Sequence, residues 1–302
     1  DRWGEVGGGH GKASSGEVHG NRLEFTSGQG RNQRMIPIRD NIQPRRWPWV
    51  NYLMIALCTV AFAAQLMSGD GGAALAERWG MIPARVTNPG KAVVVPAERV
   101  VSTIFGPQVI KGMRQLPPAP VSEWLTLLTC IFLHGGLMHF LGNMWFLHIF
   151  GDNVEDRLGH GIYLLLYLGC GLIASLTHLA SDLQSPIPTI GASGAIAGVM
   201  GAYLLLYPKA KVMSVLPLLI IFPVIILPAW IFLGLWFAFQ FYNGWASMNS
   251  AEQTGVAWVA HVGGFVAGIA LAVGMKIAHH VSPPVDGVLA GTEKDGFYPR
   301  GG

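Results

Sequence analysis

"TIGASGAIAGVMGAYLLLYPKAK", residues 189–211, carries the fold in miniature. It is an apolar run of helical character, yet Gly191, Gly194, Gly198 and Gly201 punctuate it, and each glycine costs a helix about 1 kcal/mol relative to alanine. Ser193 sits among them, 16 residues before Lys209. At about 1.5 Å per residue that is about 24 Å, some 6 Å short of the ~30 Å thickness of a bilayer core. The expectation is a short helix whose N-terminus lies below the membrane surface. Irregular backbone at that depth is tolerated only where protein buries it or where it lines a wet cavity.

The rest of the chain agrees with a membrane protein. Of 302 residues, 51% are hydrophobic and only 12% charged, outside the range of ordinary soluble domains. The net charge of +3 comes from scattered basic residues, so no nucleic-acid groove is expected. Cys58, Cys130 and Cys170 all lie in apolar stretches, where burial rather than pairing is expected. Residues 1–34 are rich in Gly, Ser, Asn and Arg without apolar periodicity, and the stretch from Val281 to 302 is similarly polar. Both are expected to be disordered tails. Between them, 35–280 forms the membrane domain.

Six apolar spans are expected near 48–67, 136–153, 160–180, 193–207, 224–243 and 255–275. Segment 212–223, broken by Pro217 and Pro223, is expected as an interfacial lead-in to the fifth. Hydrocarbon gives a bare backbone no partner, so the spans should be helices and the fold an all-α six-helix bundle with a short, submerged fourth helix. Arg39, Arg45, Arg46, Arg157, Lys209, Lys211 and Lys276 flank one set of span ends, and the opposite short loops, 181–192 and 244–254, contain no Lys or Arg. That asymmetry places both termini in the cytoplasm. The long outer loop, 68–122, carries six basic residues against the trend, and a small folded or surface-lying subdomain is expected there.

Counting depth brings polar groups together. His261 lies 15 residues above Lys276 and Asn143 14 above Arg157, about 22 and 21 Å, with His139 one turn higher on the face of Asn143. Ser193, His261, His139 and Asn143 therefore share one layer near the outer surface, and an intramembrane polar cluster is a functional site by default. Gly194 with Gly198, and Gly264 with Gly268 and Ala260, form two small-residue ridges that let the fourth and sixth spans approach until Ser193 reaches His261. A serine in a helix's first turn also has unused backbone N–H groups beside it and the positive end of the helix dipole, both of which favour developing negative charge.

Each residue alone has an ordinary explanation: Ser193 as an N-cap, His261, His139 and Asn143 as interhelical hydrogen-bonding groups. The common depth and the glycine ridges favour a joint role. "GASGA" lacks the last glycine of a GxSxG elbow, no HExxH motif occurs, and no acidic residue falls in the layer, so neither an α/β-hydrolase nor a metal centre is expected. Asp152, Glu155 and Asp156 are expected in a cytoplasmic loop, "GDNVEDRLGHG". His148, His160 and His178 have no evident partner.

"GASG" around Ser193, "AHVGGFVAG" around His261, "HGGLMHFLGN" around His139 and Asn143, and the "VEDRLG" stretch together resemble the rhomboid family of intramembrane serine proteases, over about residues 35–276. The resemblance implies Ser193 as nucleophile, His261 as base, and His139, Asn143 and the Ser193 backbone N–H around the oxyanion, with no cofactor. It implies a multi-pass protein of the cell membrane, the bacterial inner membrane, acting on the helices of other membrane proteins. The alternative is a catalytically silent rhomboid-like protein that binds membrane clients. A transporter is disfavoured because no inverted repeat is evident. Three departures stand out: the 68–122 loop is long, Leu125 follows Trp124 where many members have arginine, and Ala197 stands where some carry a tyrosine stacked on the catalytic ring. Something else must hold His261.

Overall fold

The computed structural model describes residues 35–103, 106–216, 222–248 and 258–282. The chain runs β1 (Ile36–Asp40), α1 (Trp49–Met67), α2 (Ala73–Trp79), α3 (Pro83–Thr87), β2 (Val94–Thr103), β3 (Gly106–Gln115), α4 (Thr126–Thr129, between two single 3-10 turns), α5 (Leu137–Leu158), α6 (His160–Ser181), α7 (Ser193–Leu206), β4 (Lys211–Val215), β5 (Val224–Pro228), α8 (Ala229–Met248) and α9 (Trp258–Ile277). Both expected tails lie outside the described residues, apart from Val281 and Ser282. The Ser282 backbone is tied to Arg157 by two hydrogen bonds.

The protein is mostly helical, and among the described residues three helices, α1, α6 and α9, are individually long and apolar enough to cross a membrane; α5 joins them if counted with the bent segment before it. Many large apolar side chains remain exposed on α1, α5, α6, α8 and α9, among them Val60, Leu66, Leu165, Trp230, Phe241 and Ile277. A soluble protein would bury such a surface, so lipid is its natural solvent. The chain is an integral membrane protein.

The all-α expectation needs correction. Two small antiparallel sheets are present among the described residues: β1-β4-β5, and the β2-β3 hairpin of the outer loop. The fifth apolar run starts as strand β5 and turns helical only at Ala229, and of the expected interfacial lead-in 212–223, residues 212–215 belong to strand β4 while 217–221 lie outside the described residues. Short apolar runs of this kind do not distinguish a strand from a buried helix by periodicity. The inner face of the sheet contains buried Val212 and Ser214, and Trp145 on α5 donates to the Pro37 carbonyl at 2.6 Å.

The "VEDRLG" stretch also departs from expectation, because it is the last turn of α5 rather than a loop. The only link to α6 is Gly159, at φ +78°, a left-handed conformation that glycine adopts without steric cost. Glu155 is buried and accepts from the backbone N–H groups of Val50 (3.1 Å) and Asn51 (2.7 Å). These are first-turn donors of α1 that no helical carbonyl can satisfy, and an anion there also meets the helix dipole. Asp156 accepts from the Arg45 and Arg46 backbone and from Arg45 Nε, each at 3.1 Å. Two adjacent carboxylates thus fasten the chain entering α1 to the end of α5. His160 bonds Glu155, a partner its sequence position did not reveal.

Asp40, at the end of β1, accepts from Tyr203 Oη, Asn153 Nδ2 (2.9 Å) and Ile42 N (3.2 Å). Burial pushes its carboxyl up to about 7. The native state therefore holds a proton that the unfolded chain releases near pH 4, so this group's contribution to stability is present at low pH and is lost as pH rises through about 7. Asp40→Asn, which keeps an acceptor and cannot ionise, should flatten the fall in thermal midpoint between pH 5 and 8. An unchanged slope would assign that pH dependence to another group.

Helix α7 is the centre of the bundle and is buried along nearly its whole length. Its glycines make this possible. A Cβ on Gly264 would collide with the Gly194 carbonyl, one on Gly268 with the Gly198 carbonyl, and one on Gly201 with the Phe265 carbonyl. The α7–α9 contact is therefore backbone against backbone along both expected ridges, while Ala174 and Cys170 of α6 fill the spaces beside Gly194 and Gly198.

Candidate active site

Ser193 is the first residue of α7, following Ala192 as N-cap. The chain leading to it is fixed by backbone pairing: Thr189 with Met81 in both directions, and Gly191 N–H to the Cys130 carbonyl at 2.9 Å. Gly191 has φ +138°, and a side chain there would have no room in any case. Its Cβ would stand 3.0 Å from His139 Nε2 and 3.4 Å from Ser193 Oγ. Both atoms thus border one point in front of the helix N-terminus. A cavity beside it is lined by Ala174, Ser175, Ile190 and Ala260.

The close approach of α7 and α9 brings Ser193 Oγ to 2.6 Å from His261 Nε2. The other ring nitrogen, Nδ1, lies 2.8 Å from Gln240 Oε1 on α8. Both contacts are satisfied when the Ser193 hydroxyl donates to Nε2 and the Nδ1 proton is donated to Gln240, which leaves the serine facing a basic lone pair. The His261 ring also sits against Trp258, edge to face at 6.1 Å, and near Trp236 at 6.3 Å. The support that Ala197 cannot supply comes from α8 and the start of α9.

His139 and Asn143 occupy successive turns of α5. His139 Nδ1 accepts the Gly135 N–H at 3.2 Å, so a neutral ring carries its proton on Nε2, the nitrogen nearest the Gly191 position. Asn143 is buried, and its Nδ2 has no hydrogen-bond partner among the described residues. A buried amide donor left unpaired costs about 1–3 kcal/mol, a cost that makes sense where a ligand atom completes the bond. His134 is buried beside His139, edge to face at 5.4 Å, and its backbone exchanges two hydrogen bonds with Gln65. No group of three or more potential metal ligands occurs among the described residues.

All four sequence-derived residues therefore lie on the three helices expected, and Ser193 and His261 are in direct contact. Gln240 escaped the sequence. A glutamine in "LWFAFQFY" has no motif to mark it, and only the rotation of α8 about its axis tells which neighbour it faces.

The chemistry available is that of a hydroxyl paired with an oriented imidazole, inside a helical membrane bundle and on the same layer of helices as an amide donor, Asn143 Nδ2, that has no partner among the described residues. The rhomboid-domain family model matches residues 121–277, more than half of the chain. The chain belongs to the rhomboid family. It is 46% identical over 82 residues to "Rhomboid protease GluP" of Bacillus subtilis (strain 168), covering 27% of this chain and 16% of that protein. To "Putative rhomboid protease YdcA" of the same organism it is 40% identical over 83 residues, 27% of this chain and 41% of that one. "Rhomboid protein 1, mitochondrial" of Saccharomyces cerevisiae (strain ATCC 204508 / S288c) is 31% identical over 154 residues, 49% of this chain and 41% of the other. The matches thus span less than half the length of these relatives.

Proposed function

We propose that this protein is an intramembrane serine endopeptidase that cleaves transmembrane or juxtamembrane segments of other membrane proteins through a Ser193–His261 dyad. The observation that carries the proposal is the 2.6 Å contact between Ser193 Oγ and His261 Nε2, with Nδ1 occupied so that Nε2 is the basic nitrogen. His261 takes the hydroxyl proton as Ser193 Oγ attacks the substrate carbonyl, and the tetrahedral intermediate expels the amine with that proton. Water then resolves the acyl-enzyme by the same proton path in reverse.

The oxyanion is met by the Ser193 backbone N–H, His139 Nε2–H and Asn143 Nδ2. Pre-aligned donors of this kind need no reorganisation as charge develops, and Asn143 Nδ2 has no partner among the described residues to give up. Substrate helices must unwind to present a carbonyl, since an intact helix keeps its carbonyls bonded. Six membrane-crossing helices with both termini in the cytoplasm accommodate this, with the 14-residue α7 beginning below the outer surface so that solvent reaches Ser193. The bacterial inner membrane is the proposed setting.

Asn143→Ala should lower turnover about 100- to 1,000-fold, the usual cost of one oxyanion donor, while KM and the thermal midpoint change little, because Nδ2 has no protein partner among the described residues whose loss would weaken the fold. Steady-state cleavage of a reporter membrane helix in proteoliposomes checks this. A rise in KM at unchanged turnover would place Asn143 in ground-state binding instead.

A further inference from the structure

We propose that Gln240 is a positioning residue that converts the serine–histidine pair into a neutral triad, and this rests on the protease reading above. An imidazole held only through Nε2 could adopt either tautomer and could swing about its Cβ–Cγ bond. Gln240 Oε1, 2.8 Å from Nδ1, removes both freedoms. By accepting the Nδ1 proton it places the lone pair on Nε2, and by holding the ring from α8 it aims that lone pair at Ser193 Oγ.

Burial makes this assignment strong. Gln240 is 6% exposed, in a helix whose preceding eleven residues, Ala229 to Phe239, are all apolar or glycine. An amide at such a position is costly unless its hydrogen bonds are made. The partner it finds is the one ring atom that fixes the tautomer. The neighbours of the ring, Trp236 and Trp258, restrict it sideways.

The choice of an uncharged acceptor has a chemical consequence. A carboxylate in this place would stabilise the protonated ring and so keep the base blocked to higher pH. The amide orients the ring without adding that charge. An amide can also turn over. With its NH2 group toward Nδ1, the proton would move to Nε2 and the serine would lose its base; a wrong-tautomer histidine in a serine hydrolase costs about 10⁴-fold in turnover. Glutamate can only accept when ionised, and methionine cannot donate and accepts only weakly.

The test uses the full chain in detergent or proteoliposomes and two readouts: the rate of labelling by a fluorophosphonate and cleavage of a reporter membrane helix, both from pH 5 to 9. Gln240→Glu should move the acid limb of both profiles upward by about 1 to 3 pH units and recover activity above it. Gln240→Met, close in volume, should lose at least about tenfold at every pH with no recovery. A purely structural role would lower the thermal midpoint without moving the limb. An unshifted limb in Gln240→Glu, or wild-type rates in Gln240→Met, would overturn the proposal. Should Gln240→Met fail to accumulate in the membrane, the limb in Gln240→Glu decides alone. Wild-type protein unlabelled at Ser193 would instead sink the protease reading itself, and the triad with it.

Discussion

Ser193→Ala should abolish cleavage of a reporter membrane helix, by at least about 10⁴-fold, while the protein remains folded and membrane-inserted. The size of the effect follows from the division of labour in the site. Without the hydroxyl there is no acyl-enzyme, and the remaining donors can only polarise a carbonyl that nothing attacks; loss of a serine nucleophile elsewhere costs about 10⁶-fold in turnover. Stability should hardly change, because the side chain is small and its main partner is His261. The comparison is between variant and wild type at equal membrane content, with product scored by mass spectrometry. Substantial residual cleavage at the same bond would remove Ser193 from the chemistry. If neither protein cleaves, the client-binding alternative takes over.

The second large effect concerns the helix pair that creates the site. Gly268→Val should lower stability by about 3 kcal/mol or more, since its Cβ would be driven into the Gly198 carbonyl, and neither backbone can yield without separating α7 from α9. For a domain of this size that is a fall of roughly 10 °C in the thermal midpoint. The same displacement would open the Ser193–His261 contact, so activity should fall in the material that still folds. Gly274 on the same helix provides the control. A Cβ there meets nothing within 4 Å, and Gly274→Val should cost under about 0.5 kcal/mol. Equal effects at the two positions would mean that helix propensity, not close approach, explains the glycines.

Much of the arrangement was legible in the residues because membrane physics restricts the options. Lys209, Lys276 and Arg157 supply a depth marker for three helices, and the fixed rise of a helix turns sequence spacing into height. That placed Ser193, His261, His139 and Asn143 in one layer, and the glycine ridges at 194/198 and 264/268 named the pair of helices that touch. Spacing along one helix says nothing about its rotation, however. Gln240 therefore stayed hidden on α8 until its neighbour on α9 was visible. Glu155 and Asp156 were hidden for a related reason, as their partners near Arg45 and Asn51 lie about a hundred residues away in the chain. The strands at 211–215 and 224–228, which pair with each other and through the first with β1, were missed because a short apolar strand looks the same, by periodicity, as the beginning of a span.

The central claim is that the Ser193 hydroxyl is made nucleophilic by His261, and one measurement addresses it directly. The wild-type protein is treated with a fluorophosphonate, digested and mapped by mass spectrometry alongside His261→Ala. The account predicts a single phosphonyl adduct, on Ser193, that is absent or at least about a thousandfold slower to form in His261→Ala. An adduct on another residue, or equal labelling of Ser193 in the two proteins, would contradict it.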